Sequence, residues 1–319
     1  AGRAAISFAQ RSTFEKPAHS SGSAAAAPAF VFATLEEARS VLAREDDYLL
    51  ATTPLDRRVR LRSAQPVGRG EYAAHMAAQA LAWPAEDRRR VEALLAQIAP
   101  LLDGMSARLP ERILLIRVAP KLEEGAPHTR ANAIVLPAAW LSGERPGLMY
   151  VLTHELFHVL SRNDPAARER LYAAIGFHPC GRVEVPAGSA ELRVTNPDAV
   201  EHRHAIKVRY RGEALEALPY PTFISAQPDL TQSFFANLHV RWLLIERDGE
   251  RCRARSETAG SDELEGLHEQ IGRNTNYLAH PEEIVADNFA LLLMRQMTSA
   301  PGAPPSPEVL ERIRAVLAR

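Results

Sequence analysis

The chain has 319 residues, of which 46% are hydrophobic, so it is long enough to bury a large core in one or two domains. Its 38 basic and 39 acidic residues nearly cancel, and no basic stripe is interleaved with aromatic residues, which argues against a nucleic-acid partner. No apolar run reaches the length of a membrane span. These properties predict a soluble globular protein.

The first part of the chain differs in composition from the rest. Residues 1–30 are rich in Ala, Ser and Gly and show no periodicity, so we expect a disordered tail. A chain that starts without Met or a hydrophobic signal core matches an exported protein after processing, and equally a trimmed boundary. We therefore expect a periplasmic or secreted location, with a cytoplasmic one left open. Cys180 and Cys252 could pair in an oxidising compartment and could equally be two free thiols.

Helices dominate the predicted structure of residues 31–108. Thr34 and Glu37 form a capping box that predicts a helix to about Arg44, and further helices are predicted over residues 71–82 and 85–102. Apolar, β-branched runs at residues 112–118 and 131–136 then predict two strands. The remainder, residues 109–319, is predicted to form a second region that carries the functional site.

Strands and helices alternate again downstream. Asp164 before Pro165 predicts the start of a helix that runs to about residue 175, and residues 181–250 have the alternation of a β-rich insertion, with a turn at Arg211 and Gly212. A helix is predicted from Pro281 to residue 295, and a final helix is predicted to begin near residue 306. The sequence therefore predicts an α+β fold with a mixed sheet, an inserted β-rich segment and C-terminal helices.

The most informative motif is His154-Glu155-Leu156-Phe157-His158, which lies inside an apolar run over residues 148–160. Histidines four residues apart on a helix lie on one face, where both can bind the same metal ion. Glu155 beside them is placed to take a proton from a metal-bound water. The alternative is that both histidines are hydrogen-bonded core residues and Glu155 a paired acid, although three ionisable groups on one buried helix are costly without a cation.

A catalytic zinc ion takes three protein ligands, so two histidines leave one ligand to find. Glu283, in the first turn of the predicted helix from Pro281, is the best candidate. Asp287 follows one turn later among apolar residues, where it would accept a hydrogen bond from a ligating histidine. The alternative is that Glu282 and Glu283 only complement the dipole of their helix.

These residues resemble the gluzincin group of zinc metallopeptidases, of which thermolysin is the familiar member. The resemblance rests on His154-Glu155-x-x-His158 followed by Glu283-x-x-x-Asp287 and covers two helices. It implies a zincin-like fold with Zn²⁺ bound by the two histidines and Glu283, and with Glu155 as the general base in hydrolysis of a peptide or protein substrate. Asp287 would support a ligating histidine.

The same resemblance implies an edge strand before the metal-binding helix, along which an extended substrate would pair. Asn132 and Ala133 match that strand in position, so they are the predicted substrate-binding residues. A tetrahedral oxyanion also needs a donor besides the metal. Tyr277 and His280, which precede the Glu283 helix, are the first candidates, followed by His204 and Tyr220.

Other ways to complete the site are weaker. Asp164 has the position of a metzincin third ligand, but Ser161 replaces the glycine that the metzincin turn needs, and Asp164 is already explained as a helix cap. Peptide deformylases take an upstream cysteine, whereas both cysteines here lie downstream. The alternative to an enzyme is a non-catalytic domain, which keeps this fold for binding or for a structural zinc. In a structural zinc site the Glu155 carboxylate would have no role.

Overall fold

The computed structural model describes residues 28–103, 105–142, 147–249, 251–297 and 302–318. Helices and mixed sheets both occur, so the predicted α+β class is confirmed. Most of the predicted tail, residues 1–27, lies outside the described residues. Residues 29 and 30 also fall within the predicted tail, but they begin a strand that pairs with residues 112–115.

Helices occur along the whole described chain: α1 (Leu35–Ala43), α2 (Asp47–Ala51), α3 (Pro54–Arg60), α4 (Arg69–Ala78), α5 (Ala85–Leu102), α6 (Ala138–Leu141), α7 (Leu148–Asn163), α8 (Pro165–Ala174), α9 (Leu267–Ile271), α10 (Pro281–Met297) and α11 (Pro307–Leu317). The strands form two sheets: β1 (Ala29–Phe32), β2 (Ala80–Leu81), β3 (Arg112–Val118), β4 (His128–Arg130), β5 (Ala133–Pro137), β6 (Phe177–Pro179), β7 (Val183–Glu184), β8 (His204–Tyr210), β9 (Glu213–Phe223), β10 (Leu238–Asp248) and β11 (Arg251–Ala259).

The first sheet has the strand order β1–β3–β5–β4, and β2 also pairs with β3. Strands β1, β3 and β5 are parallel, whereas β4 runs antiparallel to β5. Leu114 and Ile116 of β3 pack under α1, α2 and α4, while Ile113 and Leu115 pack under α5 and α7. Burial on both faces explains the unbroken apolar run of β3.

The second sheet has the order β6–β8–β9–β10–β11–β7 and is antiparallel except where β7 joins β11. It spans residues 177–259, a longer segment than the predicted insertion of 181–250. The predicted turn is confirmed, because Arg211 (φ 49°) and Gly212 (φ 83°) join β8 to β9 in left-handed conformations. Apolar residues such as Trp242 pack against α10 and α11.

Helix α7 lies between the first sheet and α10. Leu152 and Leu156 pack on the sheet, and Phe157 on the other side lies 5.5 Å from the ring of Phe289 in α10. Burial on both sides accounts for the apolar residues around the helix, and it brings the polar motif against α10. None of the described helices has the length and apolarity needed to cross a bilayer.

Candidate metal centre

His154 and His158 lie one turn apart on α7, and Glu283 lies in the first turn of α10. One ligand atom from each of these residues lies within 4.8 Å of the other two, so the group is able to hold a metal ion. The Oε2 atom of Glu283 is 3.1 Å from Nε2 of His154 and 3.5 Å from Nε2 of His158. The structure thus brings together the three predicted metal ligands.

The second nitrogen of each imidazole is held by a carboxylate. Nδ1 of His154 lies 2.8 Å from Oδ1 of Asp287, and Nδ1 of His158 lies 2.9 Å from Oε1 of Glu282. Because an ionised carboxylate only accepts hydrogen bonds, each Nδ1 carries a proton and donates it. Each Nε2 atom then faces Oε2 of Glu283, and the Nε2 atom of His154 is hydrogen-bonded to it. A carboxylate on Nδ1 is the arrangement that supports metal-ligating histidines.

Both supporting carboxylates are themselves held in place. Asp287 accepts hydrogen bonds from the Tyr150 hydroxyl at 2.7 Å and from the Thr275 hydroxyl. Glu282 accepts hydrogen bonds from the hydroxyls of Ser161, at 2.7 Å, and Tyr172. The sequence predicted the contact of Asp287 with a histidine, whereas it suggested only a helix-dipole role for Glu282.

Glu155 is 4% exposed, and its Oε2 atom has no hydrogen-bond partner. The Nε2 atom of His158 is likewise buried without a hydrogen bond. Burial, followed by the negative charge of Asp198, raises the pKa of Glu155 to about 8. Unpaired buried polar atoms are costly, and a cation with its water would satisfy both. The donor set and these two atoms therefore fit a metal ion.

The electrostatics of the centre favours positive charge. Burial opposes protonation of His154, but hydrogen bonds to Asp287 and Glu283 outweigh it and raise the pKa to about 10. For His158, burial is outweighed by the charges of Asp198 and Glu283, which raise its pKa well above the usual value. A divalent cation would satisfy the same carboxylates in place of these protons.

A loop from the β-rich insertion reaches this centre. Nδ2 of Asn196 donates to Oε1 of Glu283 at 2.5 Å, and Oδ1 of Asn196 accepts from the backbone N–H of Asp198 at 2.9 Å. The carboxylate of Asp198 belongs to a second group that is able to hold a metal, with Glu155 and His158. None of the predicted site residues lies in this loop, so both side chains are additions to the predicted site.

Of the two first candidates for the oxyanion donor, Tyr277 lies closer to this arrangement. Its hydroxyl is 3.5 Å from Nδ2 of Asn196, although the residue as a whole is 46% exposed. Burial of the hydroxyl end and the charge of Glu283 raise the pKa of Tyr277, so it keeps its proton. Both ring nitrogens of His280 are instead hydrogen-bonded to the backbone. Nε2 donates to the carbonyl of Glu201, and Nδ1 accepts from the N–H of Glu282.

The edge of the first sheet differs from the prediction. The outer strand is β4, and the expected substrate-binding residue Ala133 is fully buried between Arg130 and Leu114. Asn132 lies in the exposed turn between β4 and β5, and its side chain donates to the carbonyl of Arg112. A hairpin turn at residues 131–132 therefore moves both residues away from the edge.

The edge strand is already in contact with the insertion loop. Both the backbone N–H and the hydroxyl of Thr129 in β4 donate to Oδ1 of Asp198, at 2.7 and 2.5 Å. Arg162, near the end of α7, donates to the carbonyl of Pro197 at 2.9 Å. The loop is therefore fixed to the edge strand of the sheet, where the prediction placed the substrate.

The weaker candidates have other contacts. Asp164 caps α8 by accepting from the N–H of Ala167 at 2.9 Å, as the sequence predicted. Nε2 of His204 bonds to Glu169, and Tyr220 packs against the ring of His202.

Comparison of the chain with protein-family models, curated proteins and solved structures gave no match.

Proposed function

We propose that the chain is a zinc-dependent peptidase with a zincin-like active site. The observation that carries this proposal is the orientation of two imidazoles, each with Nδ1 held by a carboxylate and Nε2 facing the same Glu283 oxygen. Two histidines and one carboxylate are the donor set of catalytic zinc sites that keep a position for water. His154, His158 and Glu283 would hold the ion.

Bound zinc would polarise the scissile carbonyl and lower the pKa of water at the site. With its carboxylate kept ionised by the positive charge of the ion, Glu155 would take the proton of the attacking water and transfer it to the leaving amine. The unpaired Oε2 atom of Glu155, buried beside His158, supports this role. Tyr277, which keeps its proton, would donate a hydrogen bond to the developing oxyanion.

The proposal is tested with purified protein, a metal analysis and a peptide library. We expect one zinc per chain and cleavage that a chelator abolishes. Glu155→Gln should keep the metal and lose cleavage, whereas Glu86→Gln, at an exposed position of α5, should keep both. A wild-type protein without stoichiometric metal, or a Glu155→Gln variant that cleaves normally, would contradict the proposal.

The alternative is a closed, non-catalytic metal site, which the position of Asp198 favours. Its carboxylate lies within 4.8 Å of the ligand atoms of His158 and Glu155, close enough to join the metal-binding group. A structural site fills its fourth position with protein. Asp198→Asn would then weaken zinc binding as much as Glu283→Gln does, whereas a catalytic site would lose far less affinity through Asp198→Asn.

A further inference from the structure

The backbone of Thr195 is held on both sides by two side chains of α3. Its N–H donates to Oδ2 of Asp56 at 3.0 Å, and its carbonyl accepts from Nη2 of Arg60 at 2.6 Å. Arg60 also donates through Nε to Oδ1 of Asp56 at 2.8 Å. The side chains of Arg60 and Asp56 are 8% and 0% exposed, so this clamp on Thr195 is a buried ion pair.

A second set of contacts fixes the position of Arg60. It forms an ion pair with Glu123, whose Oε1 atom accepts hydrogen bonds from the hydroxyls of Tyr48 and Tyr72, at 2.8 and 2.5 Å. The guanidinium group also lies 4.4 Å from the ring centroid of Phe234 in the β-rich insertion. A buried arginine that forms ion pairs with two carboxylates and packs on an aromatic ring has little conformational freedom.

The residue after the clamp contacts the metal centre. Asn196 donates to Oε1 of Glu283 at 2.5 Å, and Oε2 of the same carboxylate faces both histidines. A shift of Thr195 would therefore move the group that orients Glu283. Partners of metal ligands set ligand orientation, and their loss typically weakens metal binding about 10–100-fold.

We propose that Arg60 and Asp56 are positioning residues of the metal centre, which act through Thr195 and Asn196 on Glu283. The proposal rests on the metal site proposed above. It assigns the N-terminal helical region a role in the site, although none of the predicted ligands lies there. Because the Arg60–Asp56 ion pair is buried, it is suited to holding Asn196 in one position. It is not suited to a loop that opens and closes over the site.

The test measures Co²⁺ affinity and the visible spectrum of the Co²⁺ protein, which reports ligand geometry. We expect Arg60→Met and Asn196→Ala each to weaken Co²⁺ binding by about 10–100-fold. Because both act through one contact, the double variant should bind no more weakly than Asn196→Ala alone. The matched control is Arg62→Met, which removes an exposed ion pair with Glu124 two residues after Arg60.

A second variant covers the case in which Arg60→Met does not fold. Arg60→Lys keeps the positive charge beside Asp56 and Glu123 but lacks the fork that reaches the carbonyl of Thr195. We expect it to fold and still to weaken Co²⁺ binding and alter the spectrum. For active protein, kcat should fall more than KM rises, because the displaced group orients a metal ligand and not the substrate.

Different outcomes separate the two proposals. A wild-type protein that binds no Co²⁺ overturns the metal site itself. If wild type binds Co²⁺ and folded Arg60 variants match it in affinity and spectrum, only the positioning role is overturned. Additive losses in the double variant, or peptidase activity that rises in Arg60→Lys, would also overturn that role.

Discussion

Glu282 holds Nδ1 of His158 at 2.9 Å, while its neighbour Glu283 faces Nε2 of the same ring at 3.5 Å. Two successive residues of α10 thus contact the two nitrogens of one imidazole. Ser161 and Tyr172 fix the Glu282 carboxylate in turn. The position of this ring therefore depends on α7, α8 and α10 together.

Glu282→Ala should weaken zinc binding by about 10–100-fold, since it leaves Nδ1 of His158 without its acceptor. Competition with a chromogenic chelator measures the affinity, and circular dichroism checks that the variant is folded. Glu308→Ala, at an exposed position in the first turn of α11, is the control. Equal affinities for the two variants would show that Glu282 has no part in the metal site.

The elements that were predicted well have local signals. The capping box of Thr34 and Glu37 starts α1, and the predicted bounds of α5 match the observed ones. Thr53 before Pro54 is a similar signal for α3 that the prediction did not use. Caps and periodicity depend on neighbours in the chain, so the sequence alone contains them.

The parts of the site that were missed depend on tertiary contacts. Asn196 and Asp198 reach the centre because the second sheet and α3 position their loop, which no local pattern encodes. Which strand forms the edge of the sheet depends on the strand pairing. The hairpin turn pairs β4 with β5, and β4 is therefore the edge strand. For Glu282 a signal did exist, because it heads a helical stripe of buried apolar residues: Ala286, Phe289 and Leu293.

Phe157→Ala should lower the free energy of unfolding by about 3–5 kcal/mol, because it removes a buried ring between α7 and α10. Phe235→Ala is the matched control, since that ring is 55% exposed and its loss should cost less than about 1 kcal/mol. Urea unfolding measures both. A loss for Phe157→Ala as small as that of the control would contradict the packing described for α7.

Cys180 and Cys252 should resist thiol reagents in the native protein. Both are buried free thiols, Cys252 in β11 and Cys180 directly after β6. Burial together with the neighbouring Cys252 raises the pKa of Cys180 to about 12. Because the thiolate is the reactive form, labelling at pH 8 should be slow until guanidinium exposes both groups. Rapid native labelling, or a mass two hydrogens lower than that of the dithiol, would contradict this state.

Acid should destabilise the protein partly through His128. Burial lowers the pKa of its imidazole to about 4, and its Nε2 atom has no hydrogen-bond partner. The unfolded chain takes up this proton near pH 6.5 and the native protein only near pH 4. The free energy of unfolding therefore decreases as the pH falls from about 6.5 to about 4, by about 3 kcal/mol at pH 4. Above this window, His128 has no effect on it.

His128→Asn should remove this contribution while keeping a donor for the carbonyl of Ala126, which Nδ1 contacts at 3.3 Å. Urea unfolding of both proteins between pH 7.5 and pH 4 measures the effect, with wild type losing more stability than the variant as the pH falls. Parallel pH profiles would show that His128 titrates normally in the native protein.

Zinc should stabilise the folded protein through the proposed ligands. A ligand that binds only the native state at 100 times its Kd adds about 2.7 kcal/mol to the free energy of unfolding. The melting temperature should therefore be higher with zinc than with a chelator for wild type. The same difference is expected for Glu155→Gln, which keeps all three ligands. Glu283→Ala should lose most of the difference, because Glu283 faces both histidines. If Glu283→Ala were stabilised as much as wild type, zinc would be acting at another site.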